Sequence, residues 1–273
     1  MNPIRVDHVA LVGLLALAAV SITHAVLSLG STYMQEAADK PGSSPKPSIV
    51  LVHGAFADGS GWSPVIRILQ KDGYEVTAVQ NPLSSFAEDV ATTKRLVDGQ
   101  AGPVVVVGHS YGGAVITAAA ADNSRVKALV FVAAFAPDVG EQIGAYLEKY
   151  PSPLGGALRP DSAGFAYVDR AAFHDIFAKD LSKSDTDVMA AAQKPANVSL
   201  FNASPTGAAW KSTPTWYVLT RDDQALNPEL QRFYAKRAGA KTTEIGASHA
   251  VFISHPEEVA HVIEAAAAAS TTR

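Results

Sequence analysis

Apolar positions along this chain follow two rhythms. Short, nearly continuous apolar runs occupy residues 48–53 (SIVLVH), 74–79 (YEVTAV), 104–107 (VVVV), 126–133 (VKALVFVA) and 215–219 (TWYVL). Their length and branched side chains predict strands, and their lack of polar alternation predicts burial on both faces. Between them the apolar spacing lengthens to three and four residues. That spacing predicts helices over 64–70, 86–97 and 111–121, with Ala87, Val90, Ala91, Leu96 and Val97 marking one face of the second. A helix over 228–238, a strand near 242–245 and a closing helix over 256–269 follow in the same way. Strands alternating with helices predict an α/β class: a mostly parallel sheet with helices on both faces.

The alternation breaks at Pro137. From 140 to 209 no buried apolar run appears, and the pattern predicts helices at 170–179 and 184–192. This stretch is expected to be a helical cap inserted over the C-terminal edge of the sheet. Phe165, Tyr167, Phe173, Phe177 and Trp210 are too many aromatics for a solvated loop.

A third pattern stands at the N-terminus. From Val9 to Leu29 the only polar residues are Ser21, Thr23, His24 and Ser28, with Arg5 ahead of the run. Thr23-His24-Ala25 resembles a small-residue cleavage site. Residues 1–29 are therefore expected to be a secretory signal peptide, or else an uncleaved membrane anchor. Either puts the protein outside the cytoplasm, periplasmic, secreted or tethered, with membrane contact through this segment only. Residues 30–46 contain AADKPGSSPK and are expected to be a linker. The folded domain is expected over 47–269.

Composition narrows the chemistry. The 273 residues are 48% hydrophobic and 18% charged, enough apolar material for one core. A net charge of -4 without a Lys or Arg run argues against nucleic acid. There are no cysteines, which excludes disulfides, thiolate metal sites and a cysteine nucleophile.

The valine run at 104–107 leads into GHSYG at 108–112, a G-x-S-x-G followed at once by a helical pattern. A strand, a sharp turn and a helix N-terminus are the setting in which a serine hydroxyl projects above a sheet edge as a nucleophile. Ser110 is the candidate. A serine needs a base, which in this arrangement lies late in the chain on the loop after the last strand. Of eight histidines, His249 occupies that loop. His8 and His24 lie in the N-terminal segment, His174 in the cap, and His255 and His261 on or beside the closing helix. His109 is expected to point away from the nucleophile. The acid should follow the 215–219 strand, where Asp222 and Asp223 are adjacent. Two backbone N–H groups should bind the oxyanion: that of Tyr111, and that of Ala55 in HGAF (53–56), with Phe56 as second choice. Phe56, Trp62, Phe173 and Trp210 are expected to line an apolar pocket under the cap.

VLVHGAFADGSGW (50–62), GHSYGG (108–113), NPELQRFYAKRAGA (227–240) and GASHAVFISHPEEVA (246–260) resemble the α/β-hydrolase superfamily. More narrowly, they resemble bacterial esterases akin to plant methyl-salicylate esterases and hydroxynitrile lyases. The resemblance covers about 47–268. It implies the α/β-hydrolase fold, a serine carboxylesterase acting on small to medium apolar esters, and no metal or organic cofactor. It also implies Asp223 rather than Asp222, because in that group the acid stands a fixed distance before the Asn-Pro-Glu-Leu-Gln helix start. The lyases of the group carry Thr where Gly54 stands here and Lys where Ala250 stands here, so the resemblance favours hydrolysis. The alternatives are a cofactor-free lyase or peroxidase on the same triad, or a non-catalytic receptor for a small ligand.

Overall fold

Branched side chains stiffen the first apolar run into an extended strand, and its neighbours in the sheet are built the same way. The computed structural model describes residues 46–271. The expected signal or anchor at 1–29, and the linker up to 45, lie outside the described residues. In chain order the strands are β1 (Ser48–Val52), β2 (Val76–Ala78), β3 (Val104–His109), β4 (Val126–Val132), β5 (Leu158–Pro160), β6 (Phe165–Val168), β7 (Ala196–Asn197), β8 (Thr215–Thr220) and β9 (Lys241–Ile245). Six of them form one sheet in the order β2-β1-β3-β4-β8-β9. Every pairing within it is parallel.

The two faces of the sheet are sorted by the two-residue period of its strands. Val104 and Val106 of β3 pack with Val97, Ile116 and Leu230 from the helices Phe86–Asp98, Tyr111–Ala119 and Pro228–Arg237. Val105 and Val107 face the other way, onto Val65, Leu69, Val259 and Ile263 from the helices Ser63–Lys71 and Pro256–Thr271. All four valines are fully buried, each stabilising the fold by roughly 1.5–3 kcal/mol. The helices begin where the sequence caps them. Ser85 accepts the N–H of Glu88 ahead of Phe86–Asp98. Asn227 accepts that of Glu229 ahead of Pro228–Arg237, which opens on a proline.

The cap differs from expectation. Helices Arg170–Phe177 and Lys183–Ala192 are present, but β5, β6 and β7 form an antiparallel sheet beside them. The cap is therefore mixed rather than helical. These strands run for 3, 4 and 2 residues, too short for a two-residue period to register in the sequence. What stabilises them is tertiary: Ala166, Val168 and Ala196 are buried in the same core cluster as the sheet's upper face.

Candidate active site

Ser110 is the single residue between β3 and the helix Tyr111–Ala119, and it turns the chain with φ +53° and ψ −123°. A serine there is strained, so neighbouring bonds must hold it. Its N–H donates to the Val132 carbonyl at 3.1 Å, and its carbonyl accepts from Gly113 at 3.0 Å and Phe135 at 3.1 Å. The turn also needs room. A β-carbon on Gly108 would lie 2.6 Å from the Gly112 carbonyl, and one on Gly54 would lie 2.8 Å from the Ser110 β-carbon. The glycines let the first loop close directly against the turn. The N–H of Tyr111 heads the helix, where the first N–H groups have no intrahelical acceptor.

Of the two adjacent aspartates, Asp223 is the one that reaches His249. Its Oδ2 lies 2.7 Å from Nδ1 of His249, and both side chains are essentially buried. Asp222 is exposed. Four further donors converge on the Asp223 carboxylate. The N–H groups of Ala225 and Leu226 reach Oδ1 at 2.8 Å each, and Thr220 Oγ1 and Gln231 Nε2 reach Oδ2 at 2.9 and 2.8 Å. An ionised carboxylate accepts only, so a neutral His249 paired with it carries its proton on Nδ1 and keeps the Nε2 lone pair. Ser110 and His249 open onto the same cavity.

The loop carrying His249 is held from two sides. Nε2 of His109 donates to the His249 carbonyl at 3.0 Å, and the two rings lie 4.6 Å apart. The sequence leads to the expectation that His109 points away from Ser110, and its ring packs against Trp62 and Phe252; that it also lies against His249 is a contact the sequence did not signal. It stands two residues beyond Val107 on the same strand face, so the strand period does put it beneath the loop after β9. Burial pushes its pKa well below the usual histidine value, and the His249 ring beside it adds to this, against the opposing bond to the His249 carbonyl. From the cap, the Phe177 carbonyl accepts the Ala250 N–H at 3.0 Å, and Asp180 accepts the Ser248 N–H at 3.0 Å. Neither Phe177 nor Asp180 was legible as a site neighbour, because nothing local signals a contact across about seventy residues.

The first loop is equally set. His53 donates from Nδ1 to the Gly54 carbonyl at 2.8 Å and accepts the Asn81 N–H on Nε2 at 3.0 Å. Burial lowers its pKa to about 4, so the ring stays neutral. Ala55 and Phe56 follow and line the cavity, Phe56 with φ +63°. The Tyr111 ring turns inward, its hydroxyl donating to Asp89 at 2.7 Å. Burial raises the Asp89 pKa despite that bond.

The cavity measures about 400 Å³. Its wall is apolar: Phe135, Leu147, Leu154, Phe177, Phe201 and Leu226 contribute, and the polar side chains are Ser110, Ser152 and His249. Among the described residues no Lys, Arg, Asp or Glu lines it. Of the expected wall aromatics only Phe56 belongs. Trp62 is buried on the opposite side of the sheet against Phe252 and His109. Phe173 lies behind Phe177, stacked on it at 5.1 Å. Trp210 donates from Nε1 to the Pro137 carbonyl at the foot of the cap, under Arg237. Aromatic composition cannot distinguish a wall from the layer behind it.

Residues 49–262 match the model described as alpha/beta hydrolase family. The chain belongs to the alpha/beta hydrolase family. Among its relatives, Esterase PIR7B of Oryza sativa subsp. japonica is 27% identical over 256 residues, covering 81% of this chain and 96% of that one. Methylesterase 8 of Arabidopsis thaliana is 26% identical over 222 residues, covering 69% and 76%. Among solved structures, polyneuridine aldehyde esterase superposes with a TM-score of 0.70 at 20% identity, over 81% of this chain and 99% of that one. At that identity the superposition speaks for the alpha/beta hydrolase fold alone.

Proposed function

We propose that this alpha/beta hydrolase is a serine carboxylesterase that cleaves small to medium, uncharged apolar esters through an acyl-enzyme on Ser110. The observation that carries the reading is the buried 2.7 Å bond between Asp223 and His249, whose ring shares a cavity with the strained Ser110. With its Nδ1 proton held by Asp223, His249 takes the Ser110 proton on Nε2 as the oxygen attacks the ester carbonyl. The new oxyanion is received by the N–H groups of Ala55 and Tyr111. His249 then gives its proton to the departing alcohol, and the acyl-enzyme forms. Water, deprotonated by the same histidine, attacks the acyl carbon; as the acyl–oxygen bond breaks, His249 returns that proton to Ser110, and the acid leaves with the hydroxyl restored.

The substrate class is supported by the cavity. A volume of about 400 Å³ suits a small or medium ester. A wall without a charged side chain gives no partner to a substrate carboxylate or ammonium, whose desolvation would go uncompensated. The same wall supports hydrolysis over cyanohydrin cleavage: no cation stands by for a leaving cyanide, and buried Ala250 follows His249. The relatives named esterases support the same reaction. We also propose that residues 1–29 direct export, on the strength of their apolar run alone.

A serine-directed phosphonate and a series of p-nitrophenyl esters from acetate to palmitate test the reaction. The expected outcome is label on Ser110 only, rapid turnover of the shorter esters, and loss of both in Ser110→Ala with an unchanged melting curve. Label on another serine, or turnover surviving in Ser110→Ala, overturns the assignment.

A further inference from the structure

β9 ends at Ile245, and the chain then leaves the sheet to present His249. Residues 248 and 250 therefore have no ladder partner for their N–H groups. The cap supplies both acceptors. Asp180 takes the Ser248 N–H at 3.0 Å, and the Phe177 carbonyl takes the Ala250 N–H at 3.0 Å. Asp180 makes two more bonds, one to the same loop and one to the short helix Val251–Ser254 that follows it. Its Oδ1 accepts the Ser248 hydroxyl, and its Oδ2 accepts the Ser254 hydroxyl at 2.8 Å. His255 stands 3.8 Å from the same oxygen. Burial alone would raise the Asp180 pKa, but the bonds from Ser248 and Ser254 outweigh it and hold the carboxyl below its usual value. The ring of Phe177, three residues earlier, lies edge-on to His249 at 4.9 Å and forms part of the cavity wall.

We propose that Asp180 is a positioning residue for the reaction: it latches the cap to the loop that carries His249 and to Ser254, at the end of the short helix Val251–Ser254 that follows it, and so sets the place of the His249 ring relative to Ser110. This rests on the reading of Ser110 and His249 as nucleophile and base. His249 is bracketed by cap acceptors on both sides, while its own carbonyl is held by His109. With the Asp180 bonds gone, one bracket and the Ser254 tie are lost together. The base loop is then free to shift by fractions of an ångström, enough to cost catalysis without touching the cavity wall. The cap is on this view a structural part of the base, not only a cover.

The test compares Asp180→Ala, Asp180→Asn and Ser248→Ala in the full chain. Asp180→Ala is expected to lower kcat by about 10- to 100-fold with KM within about twofold, and to slow phosphonate labelling of Ser110 by the same factor. Asp180→Asn, which keeps one acceptor oxygen, recovers part of the rate. Ser248→Ala, which removes one hydroxyl and keeps the fold, loses a few-fold in kcat. Preference among ester chain lengths stays as in the parent, because no wall residue has changed. Wild-type kcat in Asp180→Ala and Ser248→Ala, whatever their melting temperatures, overturns the proposal, as does a loss confined to KM. If Asp180→Ala does not fold, wild-type kcat in both Asp180→Asn and Ser248→Ala overturns the proposal in its place. Failure of Ser110 labelling in the parent protein instead overturns the reading of the site itself.

Discussion

Gln231 and His249 share one oxygen of Asp223: Gln231 Nε2 donates to Oδ2 at 2.8 Å, and His249 Nδ1 meets the same atom at 2.7 Å. Gln231 also takes the Thr220 N–H on Oε1 at 3.0 Å and donates to the Leu226 carbonyl at 2.9 Å. The helix Pro228–Arg237 thus carries, one turn in, the side chain that ties β8 to the Asp223 loop. A carboxylate so surrounded does not rotate away from its histidine, and a buried group with every lone pair occupied is costly to alter.

Asp223→Asn therefore distinguishes the two aspartates. It is expected to lower kcat by about three to four orders of magnitude, because the amide can no longer hold the tautomer with a bare Nε2. Asp222→Asn, on an exposed side chain, is expected to leave kcat within a small factor. Initial rates on one p-nitrophenyl ester decide it, and the reverse ranking would move the acid by one residue.

Chain-length preference should follow the residues that line the cavity. Phe201→Ala enlarges the wall and is expected to shift preference toward bulkier esters by about 1–3 kcal/mol in relative kcat/KM. Phe173→Ala lies behind the wall. It is expected to cost about 3–5 kcal/mol of stability, as a truncated core aromatic does, and to leave the preference order unchanged. Denaturant titrations paired with the ester series separate the two, and a preference shift of equal size in both variants contradicts the assignment of the wall.

Stability should fall on mild acidification. Folded His53 has a pKa of about 4 against an ordinary value of 6.5, and buried His109 is lowered in the same direction. The unfolded chain therefore takes up these protons first. For His53 the stability contribution is complete above about pH 6.5 and is lost as pH falls toward 4, at up to about 1.4 kcal/mol per unit; His109 adds a loss of the same sign. For His53 the total is about 3 kcal/mol. Urea midpoints measured at half-unit steps from pH 7.5 to 4.5 should slope downward below pH 6.5; a flat profile would falsify the neutral, buried state of both rings.

The N-terminal segment gives a cellular prediction. Full-length protein should leave the cytoplasm with cleavage near Ala25, and a chain begun at about residue 41 should hydrolyse esters as well as the mature form. Intact mass in a membrane fraction points to the anchor. Uncleaved, freely soluble protein in the cytoplasm contradicts export.

Much of this was legible in one dimension because the relevant signals are local. Valines at 104–107 specify a buried strand whatever they touch, and the two glycines around Ser110 announce a turn that larger residues could not make. His249 stood out for a similar reason: a serine in such a turn needs a base from the loop after the last strand, and of the eight histidines His249 is the one on that loop. Asp223 over Asp222 was what the family resemblance implied, and in the fold it is Asp223 that lies 2.7 Å from His249. The rest depended on contacts far apart in sequence. The strands at 158–160, 165–168 and 196–197 are too short to show a period and exist because Ala166, Val168 and Ala196 find a core to join. Trp62, Phe173 and Trp210 are apolar in the way wall residues are, and only packing puts one behind the sheet, one behind Phe177 and one at the foot of the cap. His109 and Asp180 hold the His249 loop from opposite sides across 140 and 68 residues. Hydrophobic period and turn chemistry are properties of a few neighbouring residues, so sequence alone determines them; the partner of a buried polar atom is chosen by the whole fold.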